Sequence, residues 1–237
     1  MKTMNESTTQ NFIEVKNISK SYQIDSNTIS AINGVNLSIA KGSIVALMGP
    51  SGSGKSTLLN LLGVLDRPTD GEIIIDGCAI NNFTSDEQAE FRNQSVGFIF
   101  QNFNLIPVLS TLENVLLPSQ LSRTADLTES KKRAVELIET VGITPQINQS
   151  VNRLSGGQMQ RTAIARALIN KPKLILADEP TANLDEKTAE SVLELLSTVC
   201  KDQGATIIIA THDPSVLSYC QRIIRLRDGK IIDDQVT

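Results

Sequence analysis

The sequence predicts an α/β fold with a mainly parallel core sheet, an N-terminal antiparallel β subdomain and a helical insert. Three observations point there. Near-continuous apolar runs at 44–48, 174–177 and 206–210 read as strands buried on both faces, the pattern of parallel sheets. Stretches with helical periodicity separate them, as a parallel connection requires. Ahead of them, alternating segments at 12–15 and 35–39, with Asn and Gly turns, read as antiparallel strands.

Taken in order, residues 1–11 are polar and read as a flexible tail, leaving 12–237 as one domain. The strand at 44–48 ends at Gly49. A helix from about Lys55 to Leu65 turns Leu58, Leu59, Leu61, Leu62 and Leu65 inward. Residues 72–77 form a further strand and turn. From about 86 to 170 the pattern is mostly helical, a helical subdomain. Within it Thr128 caps a helix whose Ala134, Val135, Leu137, Ile138 and Val141 share one face, closed by Gly142. Val192, Leu193, Leu195, Leu196 and Val199 form the apolar face of another helix. Residues 223–226 and 230–232 close the chain as a hairpin around Asp228-Gly229.

The 237 residues, 40% hydrophobic and 20% charged, suit an ordinary packed core. Net charge is −4 and the 22 basic residues are scattered, so no nucleic-acid groove is expected. Cys78, Cys200 and Cys220 form no close pair and read as small hydrophobes in a reducing compartment. The first residues carry no apolar signal region, and no apolar run reaches the roughly 18–20 residues of a membrane helix. A soluble protein is expected, with any membrane role exercised through a partner.

Gly49-Pro50-Ser51-Gly52-Ser53-Gly54-Lys55-Ser56 fits G-x-x-x-x-G-K-[ST] between an apolar strand and a helix, the setting of a phosphate loop. Its glycines let backbone N–H groups converge on phosphate oxygens, and the helix N-terminus adds partial positive charge. Lys55 answers the β- and γ-phosphates of ATP, Ser56 offers a hydroxyl to Mg²⁺, and Thr57 completes the nucleotide-binding set. The run at 174–177 delivers Asp178 and Glu179 at a strand's C-terminal end, where ligands sit in open α/β sheets. Asp178 suits the Mg²⁺ shell, and Glu179 is placed to take a proton from an attacking water. These motifs identify a P-loop NTPase.

Leu154-Ser155-Gly156-Gly157-Gln158 opens a further helix that runs to Ile169. Ser155 and Gln158 make an S-x-x-Q capping box. Two glycines in a first turn weaken it by roughly 1 kcal/mol each against Ala, which points to something approaching the backbone closely, such as an anion. With LSGGQ in place, the chain from about Phe12 to Ile232 resembles the ABC ATPase family. The resemblance implies a head-to-tail dimer in which Ser155, Gly156, Gly157 and Gln158 of one copy cover the nucleotide on the other. It further implies that Tyr22 stacks on adenine, though a strand-surface aromatic is the other reading. Gln101 would join Mg²⁺ and water to the membrane-facing loop, Asp185 in Asn183-Leu184-Asp185 would reach the dimer interface, and His212 would contact the γ-phosphate. Ala182 departs from the Gly of many relatives.

The segments 98–107, 112–115 and 226–230 resemble the branch of lipoprotein-releasing, macrolide-export and cell-division ATPases. That implies a permease with an extracytoplasmic domain as partner and a cytoplasmic protein peripheral to the inner face of the membrane. Its work would be export, lipoprotein release or force transmission, or else control of an extracytoplasmic domain without moving cargo. The apolar connector at 102–109 is either core or, through Phe103, Leu105 and Ile106, a groove for a permease helix.

Overall fold

The computed structural model describes residues 11–122 and 125–237. The tail expected over 1–11 lies outside them, apart from Asn11, which opens the first strand. β1 (Asn11–Ile24) and β2 (Asn27–Ala40) form a long antiparallel hairpin. It is far longer than the two alternating segments of the sequence, because register shifts near Ile18 and Lys20 break the period-two pattern midway. β4 (Asp70–Ile75) and β5 (Cys78–Ala79) complete this sheet in the order β2-β1-β4-β5.

The second sheet gathers β3 (Ile44–Met48), β6 (Val96–Ile99), β7 (Leu174–Asp178), β8 (Thr206–Thr211), β9 (Arg222–Arg227) and β10 (Lys230–Val236). Its order is β10-β9-β3-β8-β7-β6, parallel throughout except for the terminal β9–β10 hairpin. Six α-helices are described: α1 (Lys55–Leu62), α2 (Ser85–Ser95), α3 (Thr111–Gln120), α4 (Leu127–Thr140), α5 (Gly156–Leu168) and α6 (Glu186–Gln203).

Alternation along the central strands divides the core between two faces. Val45, Leu47, Leu174, Leu176 and Ile208 pack with α1 and the inner face of the antiparallel sheet. Ile44, Ala46, Ile175, Ala177, Ile207 and Ile209 pack with α3, α4, α5 and α6. Covering both faces is why these strands read as unbroken apolar runs.

Several local expectations are corrected. β6 lies inside the stretch read as mostly helical. Its four residues are too few to show a period, and Gly97 lets it press on α5, where a Cβ would sit 2.5 Å from the Ala167 carbonyl. α1 stops at Leu62, and Val64 then takes a left-handed conformation (φ 57°), which turns Leu65 outward to 47% exposure. Asp126, not Thr128, caps α4, accepting from the amides of Thr128 and Glu129 at 2.8 and 3.3 Å. Val135 is exposed and Leu195 only partly buried. Cys78 is exposed, Cys200 and Cys220 are buried, and all three are free thiols. Among the described residues no helix is long and apolar enough to cross a membrane.

Candidate active site

Parallel pairing in register brings four strand ends to one edge. Met48 lies opposite Thr211, Asp178 opposite Ala210, and Ile99 opposite Ala177. The segments that follow, with the phosphate loop, Gln101, Glu179 and His212, therefore leave the same side of the sheet.

The loop after β3 is tightly wound. Gly54 caps α1 at φ 103°, a conformation that side chains resist. At Gly49 a Cβ would meet the Leu226 carbonyl at 2.2 Å and Ser53 Oγ at 2.6 Å, so only glycine fits. Pro50, Ser51 and Gly52 form the exposed tip, Ser56 is exposed and Thr57 half-buried. Lys55 is buried, and its ammonium donates to the carbonyls of Gly49 (2.7 Å) and Pro50 (3.1 Å). It thus folds over the loop, cationic and sheltered. Ser53 Oγ is buried without a hydrogen-bond partner, the kind of orphan that a phosphate oxygen or a water would satisfy.

The residues expected to hold Mg²⁺ come together only in part. The Ser56 hydroxyl lies near enough to the Asp178 carboxylate to favour its charged form. Burial raises the Asp178 carboxyl above its ordinary value, and the neighbouring Glu179 charge adds to this, while Ser56 and Lys55 oppose it. A hydroxyl and a carboxylate this near, with a lysine beside them, suit a hard divalent cation bridging to phosphate. The Gln101 side chain is exposed. Its backbone carbonyl accepts from Asn183 Nδ2 at 2.9 Å, tying this segment to the one that carries Asp185.

Glu179 sits in the left-handed region (φ 47°), a strain of order 1–2 kcal/mol for a non-glycine residue. Its amide donates to the Ala210 carbonyl at 2.8 Å, which fixes that turn against β8. Oε2 accepts from Thr211 Oγ1 at 3.1 Å, and Oε1 lies 2.8 Å from His212 Nδ1. A carboxylate only accepts, so the imidazole carries its proton on Nδ1. His212, expected at a γ-phosphate, is thus engaged with Glu179 while its ring stays 71% exposed. Sequence reasoning missed Thr211, although it stands directly before the histidine.

Ser155 caps α5 in a full capping box, its amide donating to Gln158 Oε1 at 2.8 Å and its hydroxyl accepting from Gln158 N at 3.3 Å. The close approach expected at these glycines has a neighbour within the chain. A Cβ at Gly157 would lie 2.9 Å from Thr188 Cγ2 of α6. Asp185 caps α6 and is exposed, accepting from the amide and hydroxyl of Thr188 at 3.2 and 2.7 Å. Among the described residues no hydrogen bond or ion pair joins the 155–158 segment to the phosphate loop.

Tyr22 is 36% exposed, and its hydroxyl reaches Thr57 and Asp66. A cleft of about 580 Å³ lies elsewhere, between β6, α2, α3 and α5. Phe98, Phe100, Leu117, Pro118 and Leu121 line it, and so does Asn104, whereas Phe103, Leu105 and Ile106 do not. The groove expected from the connector is therefore built mostly by its neighbours.

Residues 32–182 match the family described as ABC transporter. The chain is 46% identical over 222 residues to the uncharacterized ABC transporter ATP-binding protein MJ0796 of Methanocaldococcus jannaschii, a match covering 92% of this chain and 94% of that one. It is also 46% identical over 220 residues to the macrolide export ATP-binding/permease protein MacB of Syntrophobacter fumaroxidans, spanning 92% of this chain but 31% of that protein. Among solved structures it resembles dimeric MJ0796 in a post-hydrolysis state bound to ADP and Pi, with TM-score 0.89, 45% identity and coverage of 94% and 98%. The chain belongs to the ABC transporter family, as a nucleotide-binding ATPase cassette.

Proposed function

We propose that two copies of this cassette close around MgATP, hydrolyse it, and so drive a separate membrane permease in export, lipoprotein release or force transmission. One observation carries the reading. Phosphate loop, Asp178 and Glu179 converge at one sheet edge, while the LSGGQ segment lies apart, its helix N-terminus capped, among the described residues, by its own Ser155 and Gln158. A second copy is what would bring that N-terminus to the phosphates, as the dimeric MJ0796 structure suggests. The MacB relative, an ATP-binding/permease protein about three times the matched length, supports a permease partner.

Lys55 and the amides of the phosphate loop would hold the β- and γ-phosphates, and Tyr22 would stack on the base. Ser56 and Asp178, with Gln101 approaching from its loop, would hold Mg²⁺, which neutralises phosphate charge when bound. Glu179 Oε1 or Oε2 would orient the attacking water and take its proton, while His212 shares that carboxylate and senses the γ-phosphate. The partner subunit's Ser155 and the partner subunit's Gly157 would add donors to the developing charge.

Glu179→Gln separates binding from chemistry. Steady-state hydrolysis is expected to fall by at least about 10²-fold with MgATP affinity kept. Light scattering should then show an ATP-dependent dimer in Glu179→Gln that disappears on adding Ser155→Arg. Equal dimerisation of the double variant would refute the closed dimer, and wild-type turnover of Glu179→Gln would refute the base.

A further inference from the structure

A polar cluster beside the phosphate loop is left unused by the mechanism above. Asp66, just beyond the end of α1, accepts from Lys20 Nζ at 2.6 Å, from the Tyr22 hydroxyl at 2.9 Å and from the Arg67 amide at 2.7 Å. Lys20 also donates to the Arg67 carbonyl at 2.8 Å, and its ammonium stands 4.9 Å from the centroid of the Tyr22 ring. The Tyr22 hydroxyl reaches the side chain of Thr57 as well, in the first turn of α1. Asp66 is itself held, its amide donating to the Asn60 carbonyl at 3.3 Å.

These contacts leave the ring little freedom. A phenol has one proton to give, and giving it to Asp66 fixes where the far end of the ring lies. The Lys20 ammonium occupies one face, in the arrangement favoured by the ring's quadrupole. With its side chain only 12% exposed, it is not a loose surface lysine. Tyr22 is 36% exposed, and a planar partner would take the face opposite the ammonium. An unanchored surface tyrosine would lose rotamer freedom on stacking, whereas this one has already lost it. Burial raises the Tyr22 phenol, and Asp66 raises it further. Burial opposes ionisation of Asp66, but its hydrogen bonds from Lys20, Tyr22 and the Arg67 amide outweigh this and hold it below the ordinary carboxylate range. Tyr22 therefore stays a phenol and Asp66 a carboxylate at neutral pH.

We infer that Asp66 and Lys20 are positioning residues for the nucleotide base: they lock Tyr22 as a one-sided stacking platform at a fixed offset from the phosphate loop. The inference rests on the proposed stacking role of Tyr22. A cluster that merely pins β1 to the end of α1 would have the same contacts but would not single out the base.

Calorimetric titration of the full chain with MgATP and, separately, with magnesium tripolyphosphate (phosphates without a base) distinguishes these. Tyr22→Phe, Asp66→Ala and Lys20→Met are expected to bind MgATP about three- to ten-fold more weakly, with tripolyphosphate affinity unchanged. Tyr22→Ala, which removes the platform, should lose at least as much. Tyr22→Phe at wild-type affinity beside a weakened Tyr22→Ala overturns the tether and leaves the stacking role standing. Wild-type affinity in Tyr22→Ala overturns the stacking role itself. Equal losses for MgATP and tripolyphosphate overturn base positioning in favour of a structural pin. Should Asp66→Ala not fold, Tyr22→Phe, which removes a single hydroxyl, carries the decision.

Discussion

Thr211 is wholly buried at the end of β8, and only one arrangement of its hydroxyl satisfies both neighbours. It accepts from the Asp213 amide at 3.0 Å, so its proton is left for Glu179 Oε2 at 3.1 Å. With His212 on the other oxygen, the carboxylate is held at both ends. Thr211→Val keeps the volume but releases one end, so single-turnover hydrolysis should fall about ten-fold or more while MgATP affinity holds. Thr211→Ser should restore the rate. A loss of affinity equal to the loss of rate would place Thr211 in the fold and not in the chemistry. The thiols give a second residue-scale test. Burial pushes Cys220 up to about 12 and raises Cys200, while Cys78 is exposed. A thiol reagent at neutral pH should modify Cys78 promptly and the other two only on unfolding, as mass spectrometry of timed samples would show. Residues in contiguous motifs, from Gly49 to Thr57, Asp178-Glu179 and Ser155 to Gln158, were legible in the sequence because their spacing is itself the chemistry. Asp66 and Thr211 were not, since each meets its partner across 44 and 32 residues of chain and carries no local pattern.

At the scale of elements, three carboxylates at helix caps are held below their ordinary values. Glu87 closes the capping box of α2 and Glu113 that of α3, each held below its ordinary value by the amide and hydroxyl of Thr84 or Ser110. Asp185 is lowered in the same way by the Thr188 hydroxyl and amide at α6. Because the folded values lie below the unfolded ones, this stabilisation is complete above the unfolded carboxylate range, about pH 4. It is lost as pH falls through the folded values. The melting temperature of Glu87→Gln/Glu113→Gln should therefore change less than that of wild type between roughly pH 5 and 3. Parallel curves would show that other carboxylates dominate. Both boxes follow the S/T-x-x-E/Q spacing read at Ser155–Gln158 but were passed over at Thr84 and Ser110, whereas β6 and the middle of the β1–β2 hairpin carry no such pattern. Four residues cannot establish a period, and a bulge inverts one.

Across the whole molecule, the 580 Å³ cleft lies between the core sheet, α2, α3 and α5, the helix that the LSGGQ segment opens. Phe98 and Phe100 stack at 5.4 Å on its sheet side, and Leu121, 72% exposed, stands on its α3 side. Arg166 of α5 also lines it and donates to the carbonyls of Phe103 (2.7 Å) and Asn104. Those two residues both lie in the left-handed region (φ 60° and 48°), so the guanidinium braces a strained turn just after Gln101. Asn183 Nδ2 in turn donates to the Gln101 carbonyl. An amphipathic helix from a permease's cytoplasmic loop, laid into this cleft, would press on Arg166 and so on α5 and the Gln101 segment together. Two variants separate docking from transmission. Leu121→Asp places a charge on the apolar wall far from the nucleotide, so folding and the ATPase activity of the isolated cassette should persist while co-purification with the co-expressed permease is lost. Arg166→Met keeps the stem of the side chain but frees the turn. Co-purification should survive it, and the change in ATP hydrolysis on adding the permease should not. If Leu121→Asp still co-purifies at the wild-type level, the permease docks on another surface. If Arg166→Met still responds to the permease, the signal reaches the nucleotide without the braced turn.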